Sequence, residues 1–249
     1  MKITNIIKVL ALLPLLASCD DLFEPANENI RGIDAMYEEP SYAQGVLANA
    51  YILLPYSSAP NSDVATDDAV TNDINNSYLK MATGSWTSNS DPMSQWQARR
   101  NAIQYINLFL DKADSVLWAR DNTIRIMFRD RMKGEAYGLR AVQMFYLLMA
   151  HGGRSADGQL LGVPILTKPE DSNSDFNLPR NTFQDCVDSL LADSKRAIDL
   201  LPMDYGDLNT GDAIPAKYQT KYGVTGIGDY NRICGSHMRG RITARIVEA

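Results

Sequence analysis

The sequence predicts an all-α protein, a stack of helical hairpins that carries long irregular loops. Three observations predict it. A long segment near the middle repeats apolar residues at helical spacing on two faces; small residues crowd that same segment; and further helical stripes flank it, separated by polar stretches too long to be ordinary turns. The central segment comes first. Phe128, Met132, Ala136, Leu139, Tyr146 and Ala150 recur at spacings of three, four and seven, which marks one apolar helical face. Tyr137, Ala141, Phe145 and Leu148 mark a second face beside it. A helix apolar on two sides needs neighbours on two sides. Gly134 and Gly138 sit four apart within it, and each costs about 1 kcal/mol against alanine in a helix interior. The expected compensation is close approach of a neighbouring helix. His151-Gly152-Gly153 reads as the stop, a left-handed glycine just past the last turn, and Leu160 to Leu166 as a short extended exit strand held straight by Pro164.

Residues 1–18 read as a leader: Lys2 and Lys8 are its positive end, and the apolar run Val9 to Leu16 is far shorter than the roughly 20 residues of a membrane-spanning helix. It ends in Leu16-Ala17-Ser18-Cys19, the form of a lipobox, which makes Cys19 the predicted lipidation site; stable anchoring needs more than one acyl chain. Residues 19–38, polar with Pro25, read as a tether, and residues 39–249 as the helical domain. Ser41 to Leu54 is the first helix, with Ala43, Val46, Leu47, Ala50, Tyr51 and Leu54 on one face. Asp91 is expected to cap a second, with Pro92 at its first position and Trp96, Ile103, Ile106, Asn107 and Leu110 along it. Thr123 is expected to cap the central helix. Two antiparallel helices joined by a short turn, with small residues at the contact, have a tetratricopeptide-like layout, in shape though not in consensus. Thr182 caps a helix from Phe183 to Leu201, which Pro202 ends. Met203 to Ile233 reads as irregular, and a last helix is expected over Met238 to Val247.

Tyr56 to Pro92 breaks the helical rhythm. A structureless stretch of this length is uncommon in a compact domain and is usually functional or disordered. Its aromatics argue against plain disorder. Sugar recognition needs a flat aromatic face for the apolar side of a pyranose and carboxylates or amides for its hydroxyls. Trp86 and Tyr78 supply the first, and Asp67, Asp68, Asn72, Asp73 and Asn75 the second. Another reading stays open, in which the Asx side chains cap turns and Trp86 anchors the loop to the core. Calcium is a weaker third, because the spaced D-x-[DN]-x-[DN]-G pattern of an EF-hand is absent. Tyr205, Tyr218, Tyr222 and Tyr230 leave room for a second sugar-facing surface.

Composition narrows the function. The 249 residues carry 45% hydrophobic and 22% charged residues and a formal charge of −6, ordinary values for a globular domain; loss of Lys2 and Lys8 with the leader makes the charge −8. No long basic run invites nucleic acid. Beside Cys19, Cys186 and Cys234 read as buried thiols, with a disulfide in an oxidising envelope the open alternative. The two histidines, His151 and His237, read as helix-end and loop residues. No G-x-S-x-G, H-E-x-x-H, Cys-x-x-Cys or phosphate-binding loop appears, and adjacent Asp67 and Asp68 do not display the spaced carboxylate pair of a glycosidase. Binding without catalysis, cofactor or metal is the expectation.

Glu135-Ala136-x-x-Leu139-Arg140-Ala141, the run Phe145-Tyr146-Leu147-Leu148, and Gly162-Val163-Pro164-Ile165 resemble the hallmark of the SusD/RagB family, surface glycan-binding lipoproteins of Bacteroidetes. The resemblance implies a SusD-like helical fold and capture of an oligosaccharide or polysaccharide. It also implies an outer-membrane lipid anchor facing the exterior, and a TonB-dependent, SusC-like transporter as partner. The alternative is a peptide-binding or structural surface lipoprotein on the same scaffold. Family members are substantially longer, so the resemblance further implies that the chain supplies the first part of the family's domain. On that reading its last helix lacks the neighbour that would bury Ile242, Ile246 and Val247.

Overall fold

The computed structural model describes residues 32–37, 39–55 and 62–249. The leader, Cys19 and most of the tether lie outside the described residues, as does Tyr56. Residues 36–249 form one compact unit. The helices of that unit are α1 (Pro40–Ile52), α2 (Leu79–Ala82), α3 (Trp96–Lys112), α4 (Asn122–His151), α5 (Phe183–Leu200), α6 (Ala216–Tyr222), α7 (Ile227–Cys234) and α8 (Ala244–Glu248). The two-residue strands β1 (Gly153–Arg154) and β2 (Leu160–Leu161) pair antiparallel as a small hairpin. The all-α expectation holds.

Helix α4 is the axis. Its 30 residues extend about 45 Å at 1.5 Å per residue, and α3, α5, α1, α6, α7 and α8 all pack on it. The two apolar faces explain why. Met144, Leu147 and Leu148 meet Ile103 of α3, Val163 of the exit segment and Cys186 of α5. At the other end Ile124 and Met127 meet Tyr218, Tyr230, Ile233 and Cys234 of α6 and α7. Close approach at the glycines is as expected. A Cβ at Gly134 would lie 2.9 Å from Leu200 Cβ and Leu201 Cγ at the end of α5; one at Gly138 would lie 3.0 Å from Val247 Cγ2 and 3.2 Å from Ile242 Cδ1. The chain therefore passes over α4 where side chains have been removed.

Buried polar groups on α4 tie the layers together. Arg140 donates to both carboxylate oxygens of Asp193 on α5, at 2.6 and 2.9 Å, and to Asn107 Oδ1 on α3 at 2.8 Å. Asn107 in turn donates to the Leu166 and Lys168 carbonyls, which fixes the exit segment. Gln143 accepts from Arg99 and donates to the Ala50 carbonyl at the end of α1. Glu135, fully buried, accepts from Tyr51 at 2.9 Å and from Tyr205 at 3.4 Å and faces Arg241 at 3.3 Å. Burial, then the charge of Glu135, pushes the Tyr51 and Tyr205 hydroxyls well above the usual tyrosine range. Such groups are tolerated inside because each residue has a partner, though the Arg99 and Arg131 Nε atoms are left without a hydrogen bond.

Several local expectations are corrected. Asp121, not Thr123, caps α4, its Oδ1 accepting from the Ile124 N–H at 2.9 Å. Helix α3 starts at Trp96 rather than Pro92, because Asp91 turns back onto the Met93 N–H. Gly152 is not left-handed (φ −72°, ψ 152°); it is needed because a Cβ there would sit 2.6 Å from the Leu148 carbonyl oxygen. The Met203–Ile233 stretch is not irregular throughout, since α6 and most of α7 lie in it, and Gly223 supplies a left-handed stop to α6 (φ 68°). The final helix is shorter than expected and begins at Ala244, capped by Thr243. Ile242 is already buried and Val247 packs on the same cluster, so of the three residues expected to lack cover only Ile246 is exposed. Cys186 and Cys234 are free and buried.

Candidate functional site

Between α1 and α3 the chain leaves the helical stack as an arm, described from Ser62 to Gln95. A 3₁₀ turn (Ser62–Ala65) packs against α2, so the arm folds on itself. Gly84, left-handed at φ 68°, reverses the chain after α2, and a bridge between Thr87 and Ser90 closes a tight turn. Lys80 Nζ donates to Ser90 Oγ at 2.6 Å and pins that turn to α2.

The residues singled out from the sequence all lie on this arm, with different duties. Asp73 serves the fold: its Oδ1 accepts the Asn75 N–H at 3.0 Å, the turn-capping role weighed against ligand contact. Neighbouring Asn76 does the same for the Tyr78 N–H. Tyr78 is half-buried at the start of α2. Asp67, Asp68, Asn72 and Asn75 are exposed, and their side chains make no hydrogen bond or ion pair among the described residues. Trp86 is 51% exposed, so about half of its surface is open to solvent. Val70 and Ile74, exposed by 96% and 88%, interleave with the free carboxylates and amides. No described contact joins Trp86 to the acidic residues. Among the described residues no group of three or more His, Cys, Asp or Glu side chains gathers as a metal site.

A second aromatic, Trp96, stands at the foot of the arm. It is 40% exposed, being the first residue of α3, where the arm joins the helix. The His151 ring stands edge-on to it, centroids 5.5 Å apart and planes at 83°. The Arg100 guanidinium lies 5.4 Å from the ring centroid, a cation–π contact, and is itself held by both oxygens of Glu170 at 3.0 Å. His151 Nε2 accepts the Gln95 N–H at 3.1 Å, while Arg180 donates to the His151 carbonyl oxygen at 2.9 Å. Burial, helped by Arg180 and opposed by Asp91, lowers the His151 pKa. Trp96 and His151 are 55 positions apart in the chain, and nothing in the sequence pairs them.

Two concavities lie elsewhere. A groove of about 820 Å³ runs between α4, α5 and α8, walled by Val142, Phe145, Leu191 and Ile246. A cavity of about 750 Å³ at the end of α5 is bounded by Pro202, Met203, Lys217, Tyr218 and Tyr230. Lys217 caps α5 there, donating to the Ile198 and Leu201 carbonyls. Neither is lined by a residue of the arm. Three of the tyrosines noted as a second sugar-facing surface, Tyr205, Tyr218 and Tyr230, are buried core residues, and Tyr222 turns its hydroxyl inward to Asp130 at 3.0 Å. Their rings are occupied in packing.

Against known proteins, a SusD-like family model described as starch-binding and associating with the outer membrane matches residues 38–214. Among solved structures, a SusD-like protein from Bacteroides fragilis is 18% identical with a TM-score of 0.56, over 80% of this chain and 36% of its own. A putative sugar binding protein from Bacteroides vulgatus is 24% identical, TM-score 0.51, over 68% of this chain and 38% of its own. A SusD-like carbohydrate binding protein from Bacteroides fragilis is 19% identical, TM-score 0.50, over 75% and 36%. The chain thus spans less than two fifths of the length of these structures. No curated protein sequence matches it significantly.

Proposed function

The chain belongs to the SusD-like family, whose model covers residues 38–214, and on that premise we propose that it is a non-catalytic cell-surface lipoprotein that captures oligosaccharides. The observation that carries the reading is the pairing of two exposed tryptophans, Trp86 and Trp96, with an arm whose Asp67, Asp68, Asn72 and Asn75 side chains are uncommitted. An indole face stacks on the apolar side of a sugar ring; carboxylates and amides accept and donate to its hydroxyls. Trp96 is held in place before any ligand arrives, which lowers the cost of ordering on binding. Trp86 offers a second exposed ring on the arm itself.

Delivery is inferred from the same family membership. The captured glycan passes to a TonB-dependent, SusC-like outer-membrane transporter, with Cys19 as the lipid foot and the polar segment after it as the tether. No described helix is long and apolar enough to cross a membrane. In this scheme residues 39–249 are the amino-terminal part of the family's domain.

Isothermal titration against a panel of oligosaccharides and a panel of peptides tests the reading. Heat with an oligosaccharide, lost in Trp86→Ala, is the expected result. Heat with peptides alone would transfer the same scaffold to peptide capture and end the sugar reading.

A further inference from the structure

Resting on the reading of Trp96 as a glycan-facing ring, we infer that His151 is its positioning residue and makes that position sensitive to acid. Gln95 immediately precedes Trp96, and its N–H donates to His151 Nε2 at 3.1 Å. A ring nitrogen that accepts carries no proton. The same imidazole meets the indole edge-on. One side chain from the end of α4 thus fixes both the backbone entry to α3 and the tilt of its first ring. Protonation turns Nε2 into a donor facing another donor. The bond is then lost, and the indole meets an imidazolium on one side in addition to the Arg100 guanidinium.

The charged groups around His151 define the balance. Asp91, from the arm, favours the imidazolium. Arg180, from the segment before α5, and burial oppose it, and the net effect is a pKa below the usual histidine value. Arg100 and Glu170 form a closed pair on the far side of Trp96. Because the folded pKa is lowered, the unfolded chain binds the proton more readily. Stability is therefore complete above the unfolded value of about 6.5 and falls as pH drops below it. Neutral surroundings hold the ring; acid releases it.

His151 and His237 are the protein's two histidines, so their imidazole NMR signals are separable by a single substitution. The experiment follows His151 and the Trp96 indole N–H by NMR, the latter assigned among the protein's three tryptophans by its loss in Trp96→Phe, from neutral to acid pH. It also measures the affinity for maltoheptaose (a starch oligosaccharide) across the same range. The expected result is a Trp96 signal that titrates with His151, and affinity that falls about fivefold on protonation, the factor one ordinary hydrogen bond is worth. His151→Gln, whose amide oxygen still accepts from Gln95, keeps the neutral-pH signal and loses the titration; His151→Ala loses both. A Trp96 indole signal that ignores the His151 titration, or that still titrates in His151→Gln, overturns the inference. Failure of maltoheptaose to bind at neutral pH, with Trp96 still tracking His151, counts against the starch reading and leaves the positioning role supported.

Discussion

Replacing Gly134 by alanine separates two opposing effects on one position. An alanine in a helix interior gains about 1 kcal/mol over glycine. At Gly134 the new Cβ would fall 2.9 Å from Leu200 Cβ and Leu201 Cγ and 3.1 Å from Leu201 Cδ2. Leu200 Cβ lies next to its own backbone and cannot swing aside, so α5 itself must move off α4. Overpacking of this kind costs about 1–3 kcal/mol, and the Arg140–Asp193 pair between the same two helices resists the shift. The net expectation is a loss of about 1 kcal/mol, or roughly 2–4 °C in Tm for a chain of this size. Gly138 is the internal comparison. Its added Cβ meets Val247 Cγ2 at 3.0 Å and Ile242 Cδ1 at 3.2 Å, methyl groups rather than a Cβ fixed to its own backbone, so Gly138→Ala should cost clearly less than Gly134→Ala. Urea unfolding of both variants beside the parent measures the difference. If Gly134→Ala raises the midpoint as much as an unconstrained glycine-to-alanine change does, the glycine is not there for close packing.

Three further outcomes are expected from the same structure. Asp193→Asn leaves the Arg140 guanidinium buried and short of its partner charge, and should cost about 3–5 kcal/mol in urea unfolding; a loss below about 1 kcal/mol would mean that solvent reaches the pair. Trp96→Ala should weaken oligosaccharide binding by an amount comparable to Trp86→Ala, read by titration calorimetry, whereas unchanged affinity removes the foot of the arm from the site. Cys19→Ala should move the protein from the membrane fraction to the soluble fraction on cell breakage, and continued sedimentation with membranes would refute the lipid foot.

The helical stack was readable because its signals are local. Apolar spacing located α1, α4 and α5 within a few residues, Thr182 capped α5 as expected, and the paired glycines announced close approach without naming the neighbour. Where several local signals compete, tertiary context decided. Asp121 and Thr123 both suit an N-cap, and Asp91-Pro92 looks like a helix start until Asp91 is seen to serve the Met93 amide. The short α6 and α7 escaped notice because seven or eight residues carry too little periodicity, and their tyrosines suggested a surface instead of a core. The arm's composition pointed to a functional loop. Which of its acidic side chains are spent on turns required coordinates: Asp73 is, while Asp67 and Asp68 are not. The least legible feature was the foot of the arm, since Trp96, His151, Arg100 and Glu170 come from three separate segments and meet only when α3, α4 and the exit segment pack.

The proposed function is grip without cutting, and one experiment addresses both halves. Maltoheptaose is titrated into the purified protein at neutral pH, and the recovered sugar is then sized by mass spectrometry after prolonged incubation. Saturable heat and recovery of the intact heptasaccharide are the predicted results. Shortened products that scale with protein concentration, or peptide binding with no heat from any oligosaccharide, would contradict the claim.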